Sequence, residues 1–202
     1  MSRWWWCVCL STLLGTTPAG AQTGATGGEW STYGGDLGHT RYAPLSQITA
    51  DNFADLEVAW RFKTDNLGPT PEFRFQSTPL VVDGVLYSTA GSRRAVVALD
   101  AATGELTWVY SLDEGDRGAA APRRLSGRGL AYWPGDAGEP PRVVYVTPGY
   151  RLVALDATTG RPVPGFGVEG VVDLKQENDQ TIDPVTGEVG LHATPIVADG
   201  VI

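Results

Sequence analysis

The phrase Ala98-Leu99-Asp100-Ala101-Ala102-Thr103-Gly104 returns 56 positions later as Ala154-Leu155-Asp156-Ala157-Thr158-Thr159-Gly160. A self-similar unit of that size marks a propeller blade, a β-solenoid turn or another array built by copying one supersecondary element. Each copy has a mechanical reading. The apolar runs Val96-Val97-Ala98-Leu99 and Leu106-Thr107-Trp108-Val109-Tyr110 flank a short stretch rich in Asp, Thr and Gly, the pattern of a β-hairpin. Asp100 can accept backbone amides two residues on and start the turn, and Gly104 can take the positive φ that closes it. Asp156 and Gly160 play the same parts in the second copy.

A second hairpin widens the unit. Thr78-Pro79-Leu80-Val81-Val82-Asp83-Gly84-Val85-Leu86-Tyr87 carries an Asp-Gly turn, and it returns 116 positions later as Thr194-Pro195-Ile196-Val197-Ala198-Asp199-Gly200-Val201. That distance is about two units. Four strands per unit make the blade of a propeller. A β-sandwich shares the short strands and Gly-rich turns but does not repeat its turn chemistry at this period. The expected fold is therefore all-β: four-stranded antiparallel blades from the N-terminal part of a truncated β-propeller. One blade is expected at about 77–112, another at about 128–167, and the start of a third at 192–202. Residues 113–127 read as a polar insertion without a clear fold.

Composition agrees, with 26 Gly and 14 Pro and no long helical apolar period. Residues 1–21 read as a signal peptide: Arg3, then an apolar stretch from Trp4 to Leu14, then the small-x-small site Ala19-Gly20-Ala21. The apolar stretch is shorter than the roughly 20 residues a membrane span needs. Export with cleavage is expected, an uncleaved anchor being the alternative. Cys7 and Cys9 both lie in that signal, so the mature chain has no thiol chemistry and no disulfide. His39 and His192 show no metal-ligand spacing, which argues against a structural zinc site and leaves no metal ligands to name. A net charge of −8 argues against nucleic acid as a partner.

Three stretches carry a family resemblance. Trp30-Ser31-Thr32-Tyr33-Gly34-Gly35-Asp36-Leu37-Gly38-His39-Thr40-Arg41-Tyr42-Ala43-Pro44-Leu45-Ser46-Gln47-Ile48, followed by Asn52 to Trp60, resembles the opening of the quinoprotein dehydrogenases, which carry pyrroloquinoline quinone (PQQ). Arg128-Gly129-Leu130-Ala131-Tyr132-Trp133-Pro134-Gly135-Asp136 resembles their alcohol-oxidising branch. Pro162-Val163-Pro164-Gly165-Phe166-Gly167 with Gly170-Val171-Val172-Asp173-Leu174 is more similar to the glucose and polyol branch. The resemblance implies an eight-bladed ring with PQQ near its axis, closed by a strand at about 56–64 that belongs to the last blade. It implies a periplasmic enzyme that oxidises a sugar, polyol or alcohol and passes electrons to a quinone or cytochrome, with peripheral membrane association allowed. The catalytic aspartate, the stacking tryptophan and the Ca2+ ligands would all lie downstream, so no catalytic residue is expected in this stretch.

Carried over residue by residue, the resemblance makes Arg128 the cofactor-contacting arginine, whose fork suits carboxylate or quinone oxygens. The plain alternative is a surface arginine in a Gly-rich loop. Gln76 falls where relatives often carry a glutamate bonded to PQQ, and His192 where they tend to carry a hydroxyl residue. Pro122 and Arg123 occupy the places of two bridged cysteines found in some alcohol-oxidising relatives, so that disulfide is absent. Glu177 and Asp179 read as a solvated acidic turn, and Trp60, Trp108 and Tyr87 as blade-packing residues. The rival function is a non-catalytic exported propeller that serves as a protein-binding scaffold. Such scaffolds share the Asp-x-x-Thr-Gly turns but lack the opening segment and an Arg128 equivalent.

Overall fold

The computed structural model describes residues 24–136 and 138–202, so the expected signal peptide lies outside the described residues. Two four-stranded antiparallel sheets form the body. The first runs β1 (Leu80–Val82), β2 (Val85–Ala90), β3 (Ala95–Asp100) and β4 (Leu106–Tyr110), each strand pairing with the next. The second runs β5 (Ala131–Trp133), β6 (Arg142–Val146), β7 (Arg151–Asp156) and β8 (Val171–Asp173) in the same order.

The turns explain the strands. Asp83 and Gly84 sit at φ 49° and 75°, with Val82 opposite Val85. Two positive φ values in a two-residue loop match the twist of the strands it joins. In the 98–104 turn, Asp100 Oδ1 accepts from the amides of Ala102 (3.0 Å) and Thr103 (2.7 Å) and from the Thr103 hydroxyl (2.9 Å). Asp156 repeats all three bonds with Thr158 and Thr159. The repeated phrase is thus a repeated hydrogen-bond network.

The sheets pack through an apolar seam. Leu80, Tyr87, Val96 and Ala98 of the first meet Leu130, Val143, Tyr145, Val153, Leu155 and Ala157 of the second. Val96 through Leu99 are all buried, so β3 is covered on both faces, which is why its sequence is continuously apolar rather than alternating. The Trp108 indole donates to the Ala157 carbonyl at 3.0 Å and lies against Gly160, where a β-carbon would collide with the ring. Trp60 makes the same joint one unit earlier, donating to Ala101 O at 3.2 Å and lying against Gly104. The Tyr87 hydroxyl also donates to Ala157 O, at 3.2 Å.

Residues 56–64, expected to pair with the last blade of the ring, have no described strand beside them and are anchored through Trp60. Two other expectations need correction. The fourth strand of the second sheet is β8 at 171–173, beyond the expected end at 167. Pro162 and Pro164 have no N–H to continue a ladder, so after one bridge (Leu155 to Pro162) the chain loops out and returns to pair with β7. The 113–127 stretch contains a short helix, α1 (Gly115–Ala120). Its Arg117 is buried, donating to Gly149 O and forming a two-pronged pair with Asp173 at 2.5 and 2.7 Å.

Candidate functional site

Three chain segments come together at one end of the sheets. Arg128 lies three residues before β5, as Ser77 lies three before β1. The Thr78 amide donates to Arg128 O at 2.9 Å, and the Arg128 amide donates to His192 O at 3.1 Å. The Arg128 segment is therefore held between the other two. Gly129 makes this approach feasible: at φ 130°, a β-carbon there would sit 2.8 Å from Thr78 O and 3.3 Å from Thr194 Cγ2. Only glycine takes that backbone shape without strain.

The side chains converge as well. His192 Nε2 lies 2.9 Å from Gln76 Oε1, joining residues that occupy the same place two units apart. Gln76, Arg128 and His192 all line one cavity of about 960 Å³. Arg74, Arg123 and Arg124 line it too. Among the described residues, none of those three nor Arg128 forms an ion pair, whereas the lining carboxylates of Asp113 and Glu114 are taken by Arg93 and Arg151, each at 2.6 Å. An acidic chain thus presents a cationic cavity.

Arg128 is exposed toward this cavity. The Arg128 guanidinium beside Tyr33 holds the phenol's pKa below the usual value, helped by the charge of Arg41 and opposed by burial. Tyr33 is brought there because Trp30 pairs with Val81 at the edge of β1, through backbone bonds of 2.8 and 3.0 Å. Burial, followed by the charges of Arg94, Arg128, Arg123 and Arg74, pushes the His192 pKa down. A neutral imidazole has one N–H. With Nε2 engaged by Gln76, Nδ1 is buried without a partner. It is free to accept, or to donate if the Gln76 amide turns to donate to Nε2.

Two residues that sequence reasoning did not single out hold this arrangement. Glu72 accepts the amides of Gly91 and Ser126, both at 2.9 Å. Arg94 is buried under the loop that leads to Arg128. The only local hint was Arg93-Arg94 in a tight turn between apolar strands, where Gly, Asn or Asp is the usual choice. Pro122 and Arg123, which replace the two cysteines, also line the cavity. Glu177 and Asp179 are exposed, apart from it. Among the described residues no group of three or more His, Cys, Asp or Glu could hold a metal ion, and no helix is long and apolar enough to cross a membrane.

Two packed four-stranded blades with a shared cationic end define part of a β-propeller. The family model for the glucose/ethanol/alcohol dehydrogenase β-propeller domain, of the PQQ type, matches residues 30–202. The chain belongs to this PQQ-dependent dehydrogenase family. It is 39% identical over 174 residues to the dehydrogenase subunit of a quinone-type alcohol dehydrogenase from Gluconobacter oxydans, covering 84% of this chain and 21% of that protein. It is 38% identical over 140 residues to a 1-butanol dehydrogenase (cytochrome c) from Thauera butanivorans, covering 69% and 18%. The crystal structure of the quinohemoprotein alcohol dehydrogenase from Comamonas testosteroni superimposes with a TM-score of 0.63 at 28% identity, covering 85% of this chain and 22% of that one. The chain therefore spans about a fifth of the length of these relatives.

Proposed function

We propose that this chain is the N-terminal part of a periplasmic PQQ-dependent dehydrogenase that oxidises a sugar, polyol or alcohol and passes electrons to a quinone or cytochrome. The observation that carries the reading is the convergence of Gln76, Arg128 and His192 on one cavity in which Arg74, Arg123, Arg124 and Arg128 form no ion pair among the described residues. The residues present fit the group. PQQ is a tricarboxylate with an ortho-quinone, so it needs cations and hydrogen-bond donors. The guanidiniums of Arg74, Arg123, Arg124 and Arg128, which form no ion pair among the described residues, supply both. When bound, PQQ supplies the two-electron acceptor for oxidation of a CH–OH carbon; the protein's part is to bind, orient and tune it.

Each residue then has a task. The Arg128 fork would grip a carboxylate or quinone oxygen, with the Tyr33 phenol beside the guanidinium. Gln76 replaces a charged partner by an amide that orients His192. His192 stays neutral beside four arginines, oriented by its bond to Gln76. Ca2+ ligands and the proton-accepting aspartate belong to blades beyond this chain. In the eight-bladed ring, residues 56–64 would supply the strand that closes it. The relatives named for quinone and for cytochrome c support either acceptor.

The experiment is reconstitution of the full-length protein with PQQ and Ca2+, followed by a dye-linked assay across sugars, polyols and primary alcohols. Retained PQQ with turnover of at least one class is the expected result. No retained cofactor and no turnover would leave the scaffold reading in its place.

A further inference from the structure

One buried cation has no counterpart in the chemistry above. The Arg94 side chain is sealed from solvent, 2% exposed, and its backbone sits at φ 54°. Among the described residues its guanidinium forms no ion pair. It donates instead to four carbonyls: Nε to Leu125 at 3.0 Å, Nη1 to Val146 at 2.9 Å and Leu191 at 3.0 Å, and Nη2 to Arg123 at 2.8 Å. Gly127 lies close above it, where a β-carbon would come within 2.9 Å of Nε and Cζ. Burying a charge without a counter-ion is costly, so such a group is tolerated only where its hydrogen bonds are complete.

The identity of the four acceptors gives the group its meaning. Arg123 and Leu125 belong to the loop that delivers Arg128. Leu191 immediately precedes His192, and Val146 ends β6 of the second sheet. Arg94 itself leads into β3 of the first sheet. One side chain therefore reaches from one blade to the carbonyls beside both cavity-facing groups of its neighbours. We propose that Arg94 is a positioning residue, which holds the Arg128 loop and the His192 segment in a fixed relation so that both address the same cofactor. This rests on the reading of the cavity given above. A lysine at 94 would keep the charge but gather its donors at one atom, which cannot reach four carbonyls spread around a planar fork.

The test uses the full-length protein, with PQQ affinity read from quenching of tryptophan fluorescence and local order read from hydrogen exchange at the Arg128 amide. Arg94→Lys is expected to weaken PQQ binding by about tenfold or more and to speed exchange at Arg128 without PQQ present. Arg94→Ala should do the same, with partial recovery on adding methylguanidinium, which no general loss of stability would produce. Arg117→Lys is the matched control: a second buried arginine, bonded to Gly149 O and Asp173, whose change should leave PQQ affinity within roughly twofold. Unchanged affinity and exchange in Arg94→Lys would overturn the proposal, as would equal losses in Arg94→Lys and Arg117→Lys. Should Arg94→Ala not fold, Arg94→Lys decides alone. Should the unaltered protein bind no PQQ, the functional reading fails, and the exchange measurement still decides whether Arg94 orders the two segments.

Discussion

His192 Nε2 and Gln76 Oε1 lie 2.9 Å apart although 116 residues separate them. The bond joins equivalent positions of alternate blades across the segment that carries Arg128. His192 Nδ1 stays buried without a hydrogen-bond partner. Gln76 thus acts through His192 as well as beside it, and a glutamate at 76 would alter the site by charging that contact.

Replacing Arg128 tests the grip on the cofactor. Charge-assisted hydrogen bonds contribute about 1.5–3 kcal/mol each, so Arg128→Ala should weaken PQQ binding by roughly 10- to 100-fold. Arg128→Lys should recover little of it, because an ammonium cannot present two parallel donors. Equilibrium dialysis against PQQ measures both. Affinities equal to the unaltered protein would remove Arg128 from the site.

Tyr33→Phe deletes the phenol oxygen beside Arg128 and should reduce PQQ affinity severalfold without changing the fold. The phenol also predicts a pH signature. Its pKa is lowered in the folded protein, so the stabilisation it supplies is present above the unfolded value of about 10 and is lost as pH falls through the lowered folded value. Difference absorbance at 295 nm should show one tyrosine ionising early, and that step should vanish in Tyr33→Phe.

His192 should titrate below the usual histidine range, because burial and the surrounding arginines disfavour its cation. The unfolded chain then binds the proton more readily than the folded one. Stability should fall as pH drops from the unfolded value of about 6.5 toward the lowered folded value, and level off below it. NMR titration of the imidazole reads this directly. A folded value at or above the unfolded one would contradict the cationic setting described here.

The Asp173 carboxyl is held down to about 2, chiefly by its hydrogen bonds from Arg117. The stabilisation is complete above the unfolded value of about 3.9 and is lost as pH falls through about 2. Asp173 is partly exposed, so solvent screening trims the effect, and Asp173→Asn should cost about 1–2 kcal/mol at neutral pH. Urea unfolding at pH 7 and pH 2.5 checks it, with the difference shrinking at the lower pH.

Gly129→Ala should be more damaging than its size suggests. A β-carbon at φ 130° strains the backbone by about 1–3 kcal/mol and would press on Thr78 O, pushing two of the three converging segments apart. Lower PQQ affinity together with a lower melting temperature is expected.

The local turn chemistry was the most legible part of this molecule. Asp100 and Asp156 organise their own amides through bonds spanning two or three residues, so a short phrase contains all the information needed. Gln76, Arg128 and His192 were found through likeness to a family, because nothing in their immediate neighbours requires a cavity. Arg94 was missed because its partners lie 29 to 97 residues away and are backbone carbonyls, to which any sequence contributes alike. The late arrival of β8 was masked in another manner: the second copy of the repeat continues into two prolines, and the detour they impose depends on where the returning strand finds a partner.

The indole joints, Trp60 on Ala101 and Gly104, and Trp108 on Ala157 and Gly160, use one donor, one acceptor and one bare α-carbon each. A coupling of so few parts is self-propagating: any unit that carries the same turn and ends in a tryptophan can clasp its successor and be clasped by its predecessor. Gene duplication could then lengthen such a ring one unit at a time without inventing a new interface, which leaves the axial face free to diverge in chemistry while the rim stays the same.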